Sequence, residues 1–248
     1  MKALITGASS GIGQSIAKYL SNLGYDLVLV ASNKEKLEAT IKDYKTNVKL
    51  VVTDLSNLKM VKDLYLFCRD DNIDILVNNA GFGLIGNFNE TDSLRELEMI
   101  DVNIKAVHLL TKLFLKDMIK KDYGYILNVS SIAAFNQGPL MATYYATKAY
   151  SYKLSVAIYE ELRRNKSNVH ISCLCPGPVE TNFNKVANVK FAIKGISSDY
   201  VAKYAVDKMF ESKLIIVPSL KMKLLRFISH FISDKANARF AYRIQKKK

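Results

Sequence analysis

Tyr144 and Lys148 stand four residues apart in TYYATKAYSYKLSVAIYEELRR, a run over 143–164 that reads as one long helix. Their side chains therefore share a face, one turn apart. An ammonium beside a phenol favours the ionised form, and can bring a group with an unperturbed pKa of about 10 toward working pH. That is what a proton donor to a ketone oxygen needs. Any helix can carry Tyr and Lys at this spacing for packing alone, so the pair needs support from elsewhere. Tyr145 lacks the arrangement, because its own partner four residues on is Ala149. Cys173 and Cys175 lie two apart in ISCLC on a predicted strand and share a face. A metal or redox role is conceivable there, but small buried core residues are the plainer reading.

A second chemistry-bearing stretch opens the chain. KALITGASSGIG runs a short apolar strand into a glycine-rich turn, and the turn into a helix, IGQSIAKYLSNLG. Such a turn aims backbone N–H groups and a helix N-terminus at one spot, which suits a phosphate. Gly7 permits the tight turn, Gly11 lets the backbone approach a pyrophosphate, and Gly13 lets the helix pack close to the strand. A turn of purely structural use is the alternative. The β-α-β setting, and NNAG at 78–81 two strands later, favour the ligand.

Hydrophobic periodicity supplies the elements that must position these groups. Residues 2–6 read as a strand and 12–23 as a helix, with Ile12, Ile16, Leu20 and Leu23 at three- and four-residue spacing. DLVLVA (26–31) and VKLVVTD (48–54) are near-continuous apolar runs, as in strands buried on both faces of a parallel sheet. Further strands are predicted over 74–81, 125–131, 169–177 and 213–218. Helices are predicted over 34–44, 57–70, 90–121 (with a break), 143–164 and 198–209, with 178–197 irregular. This alternation predicts an α/β fold, a doubly wound parallel sheet in a three-layer α/β/α arrangement with right-handed crossovers. One domain spans 1–218, and a basic helical extension covers 219–248. Ligands in such sheets bind at the carboxyl ends of the strands. Gly7 to Gly13, Asp54, Asn78 to Gly81, Ser131 and 176–181 all fall there.

TGASSGIG, NNAG, Asn103, Ser131, Tyr144-x-x-x-Lys148 and PGPVET at 176–181 together resemble the classical short-chain dehydrogenases/reductases, over about residues 2–218. The resemblance implies a Rossmann-fold enzyme using NAD or NADP. Ser131, 13 residues before Tyr144, stands at the spacing seen in the family. By resemblance, Tyr144 is the general acid for reduction and the base for oxidation. Lys148 lowers its pKa and holds the nicotinamide ribose hydroxyls. Ser131 hydrogen-bonds the substrate oxygen and stabilises developing oxyanion charge. Ser130 points to the opposite side of a strand and is not equivalent. Asn103 matches the asparagine that kinks its helix and holds a water in the proton relay. The implied cofactor contacts begin with Thr6, Gly7, Ser9, Ser10, Gly11, Ile12 and Gly13 at the turn, and with Ser32 and Asn33 after the second strand. Asp54 and Leu55 meet the adenine, and Asn79, Ala80 and Gly81 follow the fourth strand. Tyr144 and Lys148 serve here too. Pro176, Gly177, Val179 and Thr181 cover the nicotinamide, Val179 through its backbone. No metal is implied.

An acid after the second strand would bond the ribose 2′-OH of NAD and repel a 2′-phosphate. This chain has Ser32 and Asn33 there, then Lys34 and Lys36, and the nearest carboxylate is Glu35. Many NADP-using relatives carry Arg where this chain has Ser32, so the basic clamp is incomplete. NADP(H) is still favoured over NAD(H).

The 248 residues are 49% apolar, enough for a sizeable core. No apolar run approaches the roughly 18 residues of a transmembrane helix. The first strand begins at residue 2 with no secretory signal ahead of it, and the cysteines are sparse (Cys68, Cys173 and Cys175); both point to a reducing cytoplasm. The net charge of +13 is uneven, since 213–248 holds ten Lys or Arg against one acid, Asp234. Within 219–248, Leu220, Leu224, Phe227 or Ile228, Phe231 and Ile232 recur at helical spacing, with Lys221, Lys223 and Arg226 interleaved. That pattern fits a helix docked on the protein or another subunit, an anionic membrane surface and, least well, nucleic acid.

Residues 182–197 lie where the family places a substrate lid. Phe183, Val186, Val189, Phe191 and Ile193 there, with Gln137, Leu140 and Met141 opposite, fit bulky or acyl-chain carbonyl substrates. Simple packing of the lid explains the same residues equally well. A homodimer or homotetramer built through the long helices is the default for such a chain. The leading reading is an NADP(H)-dependent enzyme interconverting a carbonyl and a secondary alcohol. Its rivals are a dinucleotide-binding regulator without turnover, and a membrane-surface-associated lipid- or steroid-type reductase. The intact Asn103, Ser131, Tyr144 and Lys148 set argues against the regulator.

Overall fold

The computed structural model describes residues 1–181, 195–229 and 231–246. Its strands are β1 (Lys2–Thr6), β2 (Asp26–Ala31), β3 (Val48–Val52), β4 (Ile73–Asn78), β5 (Gly124–Val129), β6 (Val169–Leu174), β7 (Val179–Glu180), β8 (Ile196–Ser197) and β9 (Ile215–Ile216). The helices are α1 (Gly11–Asn22), α2 (Lys34–Glu38), α3 (Leu58–Cys68), α4 (Ser93–Ile100), α5 (Val107–Lys120), α6 (Ala142–Arg164), α7 (Ser198–Phe210), α8 (Leu220–Ser229) and α9 (Asp234–Gln245).

Seven strands form one parallel sheet in the order β3-β2-β1-β4-β5-β6-β9. The order reverses between β1 and β4, so a crevice opens at the carboxyl ends of those two strands. The period-2 alternation sends neighbouring residues to opposite layers. Ala3 and Ile5 join the layer of Ile16 and Leu20 from α1 and Val206 and Met209 from α7. Leu4 joins the layer of Val61 and Leu64 from α3, Leu110 and Phe114 from α5, and Leu162 from α6. Each fully buried Leu, Ile or Phe contributes roughly 1.5–3 kcal/mol to holding these layers.

The pairing of β4 with β5 sets Asn78 opposite Asn128. The ends of β1, β4 and β5 therefore share one edge, and everything carried just beyond them converges. The long helix predicted over 90–121 is broken as expected: a π-helical stretch, Asp101–Ala106, separates α4 from α5.

Some boundaries differ from the sequence reading. The helix predicted over 34–44 stops at Glu38 and gives way to a short 3-10 turn, Ile41–Asp43. The strand predicted over 169–177 ends at Leu174, because Pro176 has no N–H to give to a ladder. The one predicted over 213–218 pairs only at Ile215 and Ile216, on the sheet edge. The stretch read as irregular contains the two-residue parallel pair β7 and β8.

Candidate active site

The turn between β1 and α1 is a cradle that leaves no room for a side chain at Gly7 or Gly13. Gly7 and Gly11 have φ of +64° and +56°, in the left-handed region that glycine adopts without strain. A Cβ on Gly13 would lie 2.5 Å from the Gly7 carbonyl oxygen and 2.4 Å from Asn79 Nδ2. Asn79 is what holds the turn: its Nδ2 donates to the carbonyls of Thr6 (3.0 Å) and Gly7 (3.1 Å). The Thr6 hydroxyl answers by accepting from the backbone N–H groups of Asn79 and Ala80, both at 3.0 Å. So NNAG and the glycine turn, more than seventy residues apart, are one hydrogen-bonded unit. Ser10, at the N-cap of α1, makes no side-chain capping bond. It lines a cleft of about 570 Å³ with Ser9, Gly11, Gln14, Glu180, Thr181 and Ser198. A helix N-terminus facing such a cleft attracts an anion. This cradle fits the pyrophosphate of a dinucleotide.

The other residues predicted to contact the cofactor follow the carboxyl ends of the strands. Ser32 and Asn33 are exposed at the end of β2, where the Asn33 side chain caps α2 by accepting from Lys36 N at 2.8 Å. Lys34 pairs loosely with Glu38 at 3.7 Å. Asp54 is exposed after β3 and accepts from Ser56 N and Oγ at 2.9 and 2.8 Å, while Leu55 is buried. Thr181 packs on Gly11, its Cγ2 3.0 Å from where a Cβ would stand. Pro176 accepts from Ile132 N at 3.0 Å, and Val179 is buried beside β8.

Across the crevice, α6 presents Tyr144 and Lys148, both buried. Lys148 Nζ donates to the Val129 carbonyl at 3.0 Å and lies 5.8 Å from the Tyr144 ring centre. Ser131 follows β5 with extended backbone, and its hydroxyl caps the next turn by accepting from Ala133 N at 3.1 Å. Ser130 turns the other way and donates to the Lys148 carbonyl at 2.7 Å. Burial pushes the Tyr144 phenol well above its ordinary value, and a hydrogen bond with Ser131 pulls the other way. Burial brings Lys148 down from 10.5 to about 8. Desolvation governs both groups in this arrangement, so the net shift of the phenol runs opposite to the lowering expected from Lys148.

Asn103 sits in the π-helical stretch and is fully engaged with protein. Its Oδ1 accepts from Phe82 N (3.1 Å), and its Nδ2 donates to Phe82 O (2.9 Å) and Thr147 Oγ1 (3.0 Å). It ties the loop after β4 to α6. A Cβ on Gly81 would lie 2.7 Å from Asn103 Oδ1, so a larger residue there would push Asn103 off its present hydrogen bonds. An apolar cluster of Met99, Ala133, Met141, Phe82, Leu84 and Ile85 surrounds Tyr144. The chain's Phe183, Val186, Val189, Phe191 and Ile193 lie outside the described residues. Cys173 and Cys175 are buried, with their sulfurs 3.8 Å apart, in a cluster with Val217 and Met222.

Comparison with known proteins fits this arrangement. A family model described as short chain dehydrogenase matches residues 1–190. The chain belongs to the short-chain dehydrogenase family. The 3-oxoacyl-[acyl-carrier-protein] reductase of Rickettsia prowazekii is 34% identical over 194 residues, covering 76% of each protein. A short-chain dehydrogenase from Sphingobium yanoikuyae, solved with NADPH, superposes with a TM-score of 0.83 at 26% identity, over 93% of this chain and 94% of that one. One from Burkholderia phymatum, solved with NAD, shares the fold with a TM-score of 0.85 at 24% identity, over 93% and 92%. As a short-chain dehydrogenase, this chain is an NAD(P)-dependent oxidoreductase acting on CH–OH groups.

The short-chain dehydrogenase match stops before α7. Yet α8 and α9 build the side of the site that sequence reading missed. Met222 packs on Gly177, its Cγ 2.8 Å from where a Cβ would be. Arg226 lies over the Phe135 ring at 4.7 Å. Gln137 Nε2 donates to Asp234 at 2.6 Å, and Asn237 Nδ2 donates to Asn136 at 3.0 Å. Buried Gln245 donates from Nε2 to the Tyr145 hydroxyl at 2.8 Å. Tyr145, set aside in the sequence because it lacks a lysine, is thus the neighbour through which the tail touches the tyrosine pair. The docked option for 219–248 describes this inner face.

Proposed function

We propose that this short-chain dehydrogenase interconverts a carbonyl and a secondary alcohol with NADP(H), on an apolar or acyl-like substrate, with Tyr144 moving the proton. One observation carries the reading: Tyr144, Lys148 and Asn103, all buried, and the half-buried Ser131, hydrogen-bonded to Tyr144, gather beyond the ends of β4 and β5. When bound, the dinucleotide supplies or accepts the hydride. Thr6, Gly7, Ser9, Ser10, Gly11, Ile12 and Gly13 would hold its phosphates, Asp54 and Leu55 its adenine, and the loop from Pro176 to Thr181 its nicotinamide end. Ser32 and Asn33, with Lys34 and Lys36 close by and no carboxylate at the strand end, favour a 2′-phosphate over a bare 2′-hydroxyl.

The Tyr144 phenol, kept protonated by burial, is poised as the acid for reduction. Ser131 stands beside it to receive the substrate oxygen and steady the charge that grows there. Lys148, one turn away, offers an ammonium whose charge burial already disfavours, so polar groups brought in by a ligand would raise its proton affinity. The apolar cluster around Tyr144 supports a hydrophobic substrate. A homo-oligomer belongs to the same reading.

The test is a panel of ketones, aldehydes and acyl thioesters assayed with NADPH and NADH in parallel. Tyr144→Phe should lower turnover by roughly 10²–10⁴-fold while dinucleotide binding persists. Unchanged turnover in that variant would refute the assignment.

A further inference from the structure

The two C-terminal helices have an inner face that builds the site and an outer face that nothing in the described chain covers. On α8 the inner side carries Met222 and Arg226. Leu220, Leu224, Phe227 and Phe231, spaced four, three and four residues apart, run along the other side and are 80%, 60%, 64% and 76% exposed. The Phe227 and Phe231 rings pack together at 5.2 Å, so the stripe continues past the end of α8. On α9, Phe240 is exposed as well. Isolated exposed apolar residues are ordinary on a protein surface, but a stripe of four large ones along a helix face and just past its end marks an interaction site.

Charge selects the occupant. Lys221, Lys223, Lys235, Arg239 and Arg243 on the same two helices, and Lys246 at the end of α9, are all exposed. Among the described residues, none of the six has a carboxylate within ion-pair distance. The only acid of 219–248, Asp234, is taken by Gln137 on the inner side. A second copy docked by the same stripe about a two-fold axis would set cations against cations with no acid to offset them. An anionic surface with an apolar interior satisfies both features at once. We infer that the outer face of α8 and α9 is a docking surface for an anionic lipid bilayer, with the leucines and phenylalanines entering the headgroup–acyl boundary and the cations meeting lipid phosphates. Among the described residues no helix is long and apolar enough to cross a membrane, so the contact is peripheral.

The full-length protein should sediment with vesicles of phosphatidylcholine doped with phosphatidylglycerol, and much less with phosphatidylcholine alone. Phe227→Glu combined with Phe231→Glu replaces exposed groups only. It should cut partitioning by on the order of tenfold or more while the circular dichroism spectrum stays unchanged. Light scattering on the same pair reports the alternative occupant. Equal sedimentation with the two vesicle types, undiminished partitioning of the double variant, or an oligomer that the double variant dissociates while wild type ignores vesicles would each overturn the inference.

Discussion

Replacing Lys148 by Met tests the claim that burial, not a charge partner, governs this site. The side chain is 6% exposed, and among the described residues its one hydrogen bond goes to the Val129 carbonyl at 3.0 Å. Folding lowers its pKa from 10.5 to about 8, so the native state holds the proton less well than the unfolded chain does. At about 1.36 kcal/mol per pH unit, keeping Lys148 protonated costs the native state about 3 kcal/mol at neutral pH. Methionine fills a similar volume without the charge but leaves the Val129 carbonyl without its donor, a loss of about 1 kcal/mol. Lys148→Met should therefore be more stable than wild type by about 2 kcal/mol, or about 4–8 °C in Tm, while turnover collapses. The sign of the pH dependence is fixed. The penalty is complete below pH 8, and it lifts as pH rises toward 10.5, because there the folded protein has already lost the proton that the unfolded chain still keeps. Urea unfolding of both proteins, without dinucleotide, across that window measures the gap. It should close and then reverse as the lost hydrogen bond alone remains. A Met variant that is less stable at neutral pH, or a gap that ignores pH, would refute the reasoning.

Three further outcomes follow from the geometry. Gly13→Ala drives a methyl into the Gly7 carbonyl and Asn79 Nδ2 and should cost about 1–3 kcal/mol, with weakened dinucleotide binding in a fluorescence titration. Ser32→Asp puts a carboxylate where a 2′-phosphate would sit and should move the NADPH-to-NADH ratio of kcat/KM roughly tenfold toward NADH; no movement would place cofactor choice elsewhere. Gln245→Ala frees the Tyr145 hydroxyl and should raise KM for the carbonyl substrate with little change in KM for the dinucleotide, as steady-state kinetics would show.

The parts of the site that were legible in sequence are those whose signature is local. A glycine turn between strand and helix, and a tyrosine with a lysine four residues on, announce themselves within a dozen residues, and the β-α alternation then places both at one edge of the sheet. What escaped depends on long-range pairing. Asn79 is a clamp on Thr6 and Gly7, and Gln245 reaches Tyr145 from 100 residues away. Neither pairing leaves a periodic trace. Electrostatics escaped for a related reason: spacing puts Lys148 near Tyr144 but says nothing of how dry the place is, and dryness reverses the expected direction for the phenol. Strand ends shifted where a proline, or a pairing partner too short to continue the ladder, stopped it.

The tail shows why specificity in this chain has to be sought outside the residues that define its family. The family match ends at residue 190, and the cradle, Ser131, Tyr144 and Lys148 all lie within it. Beyond it, Met222 supports Gly177 in the loop assigned to the nicotinamide, and Asp234, Asn237 and Gln245 hold Gln137, Asn136 and Tyr145 on the side proposed for the substrate. Removing 219–248 would therefore do two things together: strip the outer apolar stripe, and uncover a wall of the site along with the buried Cys173 and Cys175 cluster. A truncated protein that lost both vesicle binding and activity would not say which face mattered. Substitutions confined to Phe227 and Phe231 act on the outer face alone, and those at Gln245 on the inner. If the two faces are independent, their effects on partitioning and on KM should separate cleanly, because distant sites without shared partners add.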